Sequence, residues 1–547
     1  MGRMEANLVD IATRTITACE IDWQNGRITS ISPRGPARAD WPFLVPGFID
    51  AHVHIESSLL PPAEFARLAL RHGTVATISD PHEIANVLGL DGVRFMLSEA
   101  QQTPLHILFG APSCVPATPF ETAGAVLNPA DVATLLDEPG IGYLSEVMNF
   151  PGVLAGDPDL MAKIAAAHYR NLPVDGHAPG LRGEEARRYA AAGISTDHEC
   201  FSLDEAEDKI AAGMTIIIRE GSAARNFDAL HPLLARHPGQ IMFCTDDCHP
   251  DDLVEGHINR LAARACALGY DVFDVLTAAC LTPRAHYHLP LGTLQVGEPM
   301  TGALLADLHS FRVLKTYIDG VLLFDGNKTL LPYRAAKPIN RFDAPPVSPE
   351  SLCIAANAHA SSVQCRIIVA HDGQLVTSEA IETIPVIDGE IHAMPERDIL
   401  LMAVVNRYTK APPALALVRG FGLKSGAIAS SVAHDSHNIV AVGCDSFSLL
   451  QAINAVIETR GGLAATDGNH MDVLPLPVAG LMSDRNGDDV ARDFSSLNKK
   501  AHALGSQLRS PMMALSFMAL LVIPRLKLSD KGLFDGERFA FCNLIVE

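Results

Sequence analysis

Between residues 44 and about 290, short apolar runs rich in β-branched and aromatic residues alternate with amphipathic stretches of helical period, each pair taking roughly thirty residues. The runs FLVPGFIDAH, TVATISD, LHILFGAP, GIGYLSEV, LPVDGH, GISTDH, MTIIIR and QIMFCTD predict strands, with helices such as PPAEFARLALRHG and DEAEDKIAAG between them. Eight such units predict an α/β fold, a (β/α)8 TIM-type barrel. In that fold the chemistry gathers at the C-terminal ends of the strands, which is where this sequence places its His, Asp and Glu residues.

The flanks break the rhythm. ITACEIDWQNGRITSISPRG alternates like a β-meander with a turn at Asn25-Gly26, and a strand-and-glycine pattern returns in residues 291–326. Residues 1–43 and 291–335 are therefore expected to pair into one small composite β-sheet domain, with the barrel, residues 44–290, inserted in it. Residues 332–350 are rich in proline and weakly apolar, the composition of a linker. Residues 351–547 mix strands (SLCIAA, CRIIVA, LALVRG, NIVAVG) with helices (FSLLQAINAVIETRG, DDVARDFSSLNKKAHALG) and predict a C-terminal α+β domain. At the sheet ends Gly47, Gly176 and Gly193, turn geometry is a sufficient explanation.

Composition narrows the function classes. A chain of 547 residues exceeds one core, and 48% hydrophobic with 19% charged residues is ordinary for folded domains. The formal charge of −21 argues against a nucleic-acid partner, which needs a basic stripe, and favours a small neutral or cationic ligand. Eleven cysteines, an odd number scattered through the chain, point to a reducing, cytoplasmic location. The N-terminus has no apolar signal core. The longest apolar run, residues 512–523, falls short of the ~20 residues of a membrane helix and reads as a buried strand or helix, so no membrane partner is expected.

The candidate chemistry starts at PGFIDAHVHIESS, where His52 and His54 lie one residue apart at a strand end and alternation sends both imidazoles to one face. Such a pair alone is more often structural than metal-binding. Later strand ends supply Glu146, His177, His198 and Asp246, each of which alone is more often a capping or solvated residue, but which together fall in register. Two metals sharing a carboxylate and a water would generate hydroxide near neutral pH, with Glu146 the bridge and Asp246 both ligand and proton acceptor; Asp247 is its rival. His54-Ile55-Glu56 matches half of a zinc cytidine-type deaminase motif, but the PCxxC half is missing: Cys244 and Cys248 sit in CTDDC. His434 and His437, in HDSH, read either as a second metal site or as a hydrogen-bonding pair in a loop.

PGFIDAHVHIESS followed by SDPHEIANVLG resembles the bacterial adenine deaminases of the amidohydrolase superfamily, and RGFGLKSGAIASSVAHDSHNIVAVG and LPLPVAGLMS are similar to the C-terminal domain of that family. The resemblance implies conversion of adenine to hypoxanthine and ammonia in purine salvage. It implies two divalent metal ions, manganese or iron with zinc as the alternative, on His52, His54, Glu146, His177, His198 and Asp246. Many superfamily members bridge their metals with a carboxylated lysine at strand four; YLSEVMN has none, and Glu146 resembles the substitute. Asp80, His82 and Glu83, at the end of the second strand, are expected either to protonate or orient the purine, with Asp80 and Glu83 as catalytic carboxylates, or to serve a turn and a helix cap. Arg407-Tyr408 stands where the family tends to show Arg-His, and the chain begins later than is usual, which leaves an edge strand of the small sheet in question. A homodimer or larger homo-oligomer is expected. The competing functions are deamination of another aminopurine, cyclic-amide hydrolysis of the dihydroorotase or hydantoinase kind, and a non-catalytic binding protein.

Overall fold

The computed structural model describes residues 1–546. Two compact units share the chain: the first holds residues 1–81, 94–114 and 127–334, and the second holds residues 82–93, 115–126 and 335–547. Two short segments inside the barrel sequence thus belong to the second unit.

In the first unit, strands β1 (Gly2–Asp10), β2 (Thr15–Gln24), β3 (Arg27–Pro36) and β4 (Phe43–Pro46) come from the N-terminal flank. Asn25 and Gly26 join β2 to β3 with φ of 51° and 80°, the positive pair that an Asn-Gly hairpin turn requires.

The barrel follows as β5 (Phe48–Val53), β6 (Thr74–Ser79), β7 (His106–Ala111), β8 (Ile141–Val147), β9 (Val174–Gly176), β10 (Thr196–Asp197), β11 (Thr215–Arg219) and β12 (Ile241–Cys244). All neighbouring pairs within β5 to β9 and within β10 to β12 are parallel. Ser195 N–H donates to the Val174 carbonyl at 2.8 Å where β9 meets β10. The ring closes between β12 and β5: Asp246 N–H donates to the His52 carbonyl at 2.9 Å and His54 N–H to the Asp246 carbonyl at 3.1 Å. Apolar side chains of β11 and β12, such as Ile216, Ile218 and Phe243, pack with Phe227, Leu261 and Val275 of the surrounding helices. Strands five and six of the barrel are shorter than their sequence runs suggest, three and two residues.

After the barrel, β13 (Gly302–Leu305), β14 (Val313–Ile318) and β15 (Val321–Phe324) return to the first sheet, whose order is β15-β14-β13-β4-β1-β2-β3. Both flanks of the barrel therefore supply strands to a single sheet, in which β1 lies inside rather than at an edge.

The glycines need a correction. Gly193 has φ of +91°, as turn geometry demands, but Gly176 does not adopt positive φ; a Cβ there would collide with the Thr196 carbonyl of the adjacent strand. At Gly47 a Cβ would collide with the Val75 side chain. Close packing, not turning, excludes side chains at these two positions.

The second unit is built on a nine-stranded sheet that includes Ser362–Ala370, Leu400–Val405 and Ile439–Gly443. The helix Ser446–Glu458, capped by Asp445, packs Leu449, Ile453 and Val456 onto it beside Ile367, Leu401 and Leu417. Residues 332–348 carry neither helix nor strand. The apolar run 512–523 opens with the buried helix Pro511–Ser516 and continues as turns. Among the described residues, no helix is long and apolar enough to cross a membrane.

Candidate metal centre

Six side chains meet at the C-terminal mouth of the barrel. His52 is the penultimate residue of β5 and His54 follows the strand, and their Nε2 atoms lie 3.3 Å apart with the rings at 87°. Asp246, two residues past β12, places Oδ1 at 3.1 Å from His54 Nε2 and 3.6 Å from His52 Nε2. Glu146, near the end of β8, turns its two oxygens to two groups. Its Oε1 lies 3.4 Å from His54 Nε2, whereas Oε2 lies 2.6 Å from His177 Nδ1 and 3.3 Å from His198 Nε2. Two pockets of ligand atoms share one carboxylate. Five of the six residues are buried, with His177 intermediate.

The donor set fits divalent metal ions. Ligand atoms bound to one ion at about 2.0–2.2 Å stand roughly 3–3.6 Å from each other, the separation seen here except for the closer pair of His177 Nδ1 and Glu146 Oε2. His54 Nδ1 lies 3.1 Å from the Asp80 carbonyl, which can only accept. The proton is therefore on Nδ1 and the Nε2 lone pair faces the other donors, the usual arrangement behind a ligating imidazole. Burial, reinforced by the nearby His198 and His54, pushes His52 well below its ordinary value and keeps its ring neutral. His177 behaves oppositely: burial alone would lower it, but Glu199 and Glu146 outweigh this and raise it to about 9.

Arg219, the last residue of β11, backs the site. Its Nη1 donates to Asp246 Oδ2 at 2.5 Å and to Glu199 Oε1, and its Nη2 to Glu199 Oε2 at 3.0 Å. Burial would raise the Asp246 carboxyl, but Arg219 and then His54 hold it well below the carboxylate range. Asp246 has φ of 55°, a left-handed conformation that costs ~1–3 kcal/mol for a non-glycine residue and is typical of functional positions. Neither Arg219 nor Glu199 is among the candidates that strand-end position and motif pick out. Their signals were present: Arg219 is the one charged residue of MTIIIR, and Glu199 directly follows His198.

The remaining candidates are divided between the two units. Asp80 lies in the first unit at the end of β6, its N–H donating to the Val53 carbonyl at 3.0 Å. Asp247 accepts from Ser57 Oγ at 2.5 Å, and Asp246 lies among the imidazoles. His82 and Glu83 belong to the second unit, in the helix His82–Leu88. There Glu83 Oε1 meets His434 Nδ1, Glu83 Oε2 meets His437 Nε2, and His82 Nε2 lies 3.3 Å from Oε1. Burial would raise the Glu83 carboxyl, but His434, His437 and His82 hold it well below its usual range. Arg407 and Tyr408 carry the loop of these histidines: Arg407 N–H donates to Asn438 Oδ1 at 3.1 Å, its Nη1 to the His437 carbonyl at 3.3 Å, and Tyr408 Oη to the Ser436 carbonyl at 2.6 Å. The tyrosine that departs from the family pattern thus has a part in holding that loop.

A parallel barrel with this set of imidazoles and carboxylates at its strand ends defines a metal-dependent hydrolase. Residues 43–323 match the Amidohydrolase family, and residues 374–540 match the adenine deaminase C-terminal domain. An adenine deaminase of Salinibacter ruber is 53% identical over 99% of this chain and 98% of its own length. One of Sulfurovum sp. is 50% identical over 98% of each, and one of Methanosarcina mazei is 45% identical over 99% of each. The chain belongs to the adenine deaminase family of amidohydrolases.

Proposed function

We propose that the chain hydrolyses adenine to hypoxanthine and ammonia, with His52, His54, Glu146, His177, His198 and Asp246 holding two divalent ions. The observation that carries this reading is Glu146, whose two oxygens face two separate sets of imidazoles. Relatives named adenine deaminase along nearly the whole chain support the substrate. Bound ions would supply water acidified toward neutral pH and would offset the charge that develops at the purine. Donors limited to imidazole and carboxylate, with no thiolate, suit manganese or iron, with zinc the alternative.

The balance of the reaction is one water in and one ammonia out. Asp246 would accept a proton from water through Oδ1, and the hold of Arg219 on Oδ2 supports that role. Asp80 and Glu83 are assigned to the purine: one proton must reach a ring nitrogen as C6 is attacked, and one must accompany the departing amine. Among the described residues the cysteines are all free, which supports a cytoplasmic location. Phe539 and Phe541, partly exposed beside Phe120, support a homo-oligomer.

The test is to load the purified chain with manganese and follow hypoxanthine and ammonia from adenine, beside cytosine, guanine, dihydroorotate and hydantoin. Turnover of a cyclic amide without turnover of adenine would overturn the reading.

A further inference from the structure

Glu83 is a long side chain with three rotatable bonds, and its carboxylate is gripped at both ends. His437 Nδ1 accepts the Ala433 N–H at 3.2 Å, so the proton of this imidazole must sit on Nε2, the atom that meets Glu83 Oε2. His437 is thus fixed as a donor. It adopts φ of 55° and its N–H donates to the Ala433 carbonyl at 2.7 Å, so the loop is bent to aim the ring. His434 is aimed independently: its ring stacks on Phe517 at 4.7 Å and 10°, its N–H donates to the Ser516 carbonyl at 3.0 Å, and its Nδ1 meets Glu83 Oε1. All three residues are buried.

We propose that His434 and His437 are positioning residues, one imidazole on each carboxylate oxygen, that hold Glu83 in the orientation from which it exchanges a proton with the purine. The inference rests on the assignment of Glu83 as a proton-handling group. A carboxylate has about four acceptor sites, so two imidazoles leave lone pairs on both oxygens for a ring N–H or amino group. Freezing the side chain removes rotamers that would otherwise be lost on binding, and misplacement of a reacting group by about 1 Å can cost some 10²-fold in rate.

The experiment uses the full-length, manganese-loaded chain. Replacing His434 or His437 by Leu is expected to lower kcat about 10–100-fold with little change in the KM for adenine and with metal content unchanged. The geometry-matched amides, His434→Asn for Nδ1 and His437→Gln for Nε2, are expected to recover most of the rate, and the swapped pair, His434→Gln and His437→Asn, to recover less. If the leucine variants do not fold, the matched and swapped amides decide. In a Glu83→Gln background the histidine substitutions should add no further loss. Wild-type kcat in the leucine variants, equal rates in matched and swapped amides, or additive losses in that background would each overturn the proposal. So would a third metal equivalent per chain that vanishes with either histidine, because the imidazoles would then be ligands. Full activity of Glu83→Gln would instead remove the parent assignment of Glu83.

Discussion

Glu146 and Asp246 are both carboxylates between imidazoles, yet they should fail differently. Glu146 offers one oxygen to each half of the site, so Glu146→Gln is expected to lower metal content and activity in parallel, as read by elemental analysis beside turnover. Asp246 keeps Oδ2 on Arg219, and Asn preserves its shape; Asp246→Asn should retain most of the metal while losing about 10²–10⁴-fold in kcat. His177 adds a pH dependence. Raised to about 9 in the metal-free chain, it carries a proton at neutral pH that an incoming ion must displace. Metal affinity should therefore fall about tenfold per unit as pH drops below that value, with a proton released per chain. Calorimetry in two buffers of different ionisation enthalpy measures that release; none at pH 7 would contradict the assignment. The six candidate ligands were legible in the sequence because each lies at or just past a strand end, where alternation and barrel geometry decide its direction. The partners of Glu83 were not, because HDSH lies some 350 residues further along and only the folded chain brings the two together.

At the scale of elements, the site depends on two very short strands. β9 and β10 carry His177 and His198 just beyond their ends, and Gly176 lies between them against the Thr196 carbonyl. Gly176→Ala must push these strands apart, so it is expected to lower both Tm and metal occupancy, whereas Gly180→Ala, at an open turn of φ +75°, should affect stability without the same loss of metal. Thermal melts with and without metal separate the two. Periodicity located all eight strands but overstated β9 and β10. LPVDGH and GISTDH have the apolar and branched residues of strands, but their polar ends leave the ladder to become the floor of the site.

For the whole molecule, the division into units does not follow chain order. Residues 82–93 and 115–126 belong with residues 335–547, and Ile84, Val87 and Val93 are buried. A chain ending at residue 334 would keep these segments without the unit they belong to. It is expected to show no cooperative unfolding transition and to aggregate, measured by calorimetry and light scattering against the full chain. Composition marks the proline-rich linker before residue 351 but carries no sign that residues 82–93 and 115–126 leave the first unit.

The seven-stranded sheet sets a timetable for synthesis. Its N-terminal strands β1 to β4 are made first, but β13, the neighbour that pairs with β4, begins only at Gly302. At about 5–20 residues per second on the ribosome, β4 waits some tens of seconds with one edge open while the entire barrel is translated. During that interval the nascent chain carries a strand rich in apolar residues that is paired on one edge only, so a chaperone that shields it, or a slow codon run placed after residue 324, would act on yield and not on the activity of the finished enzyme.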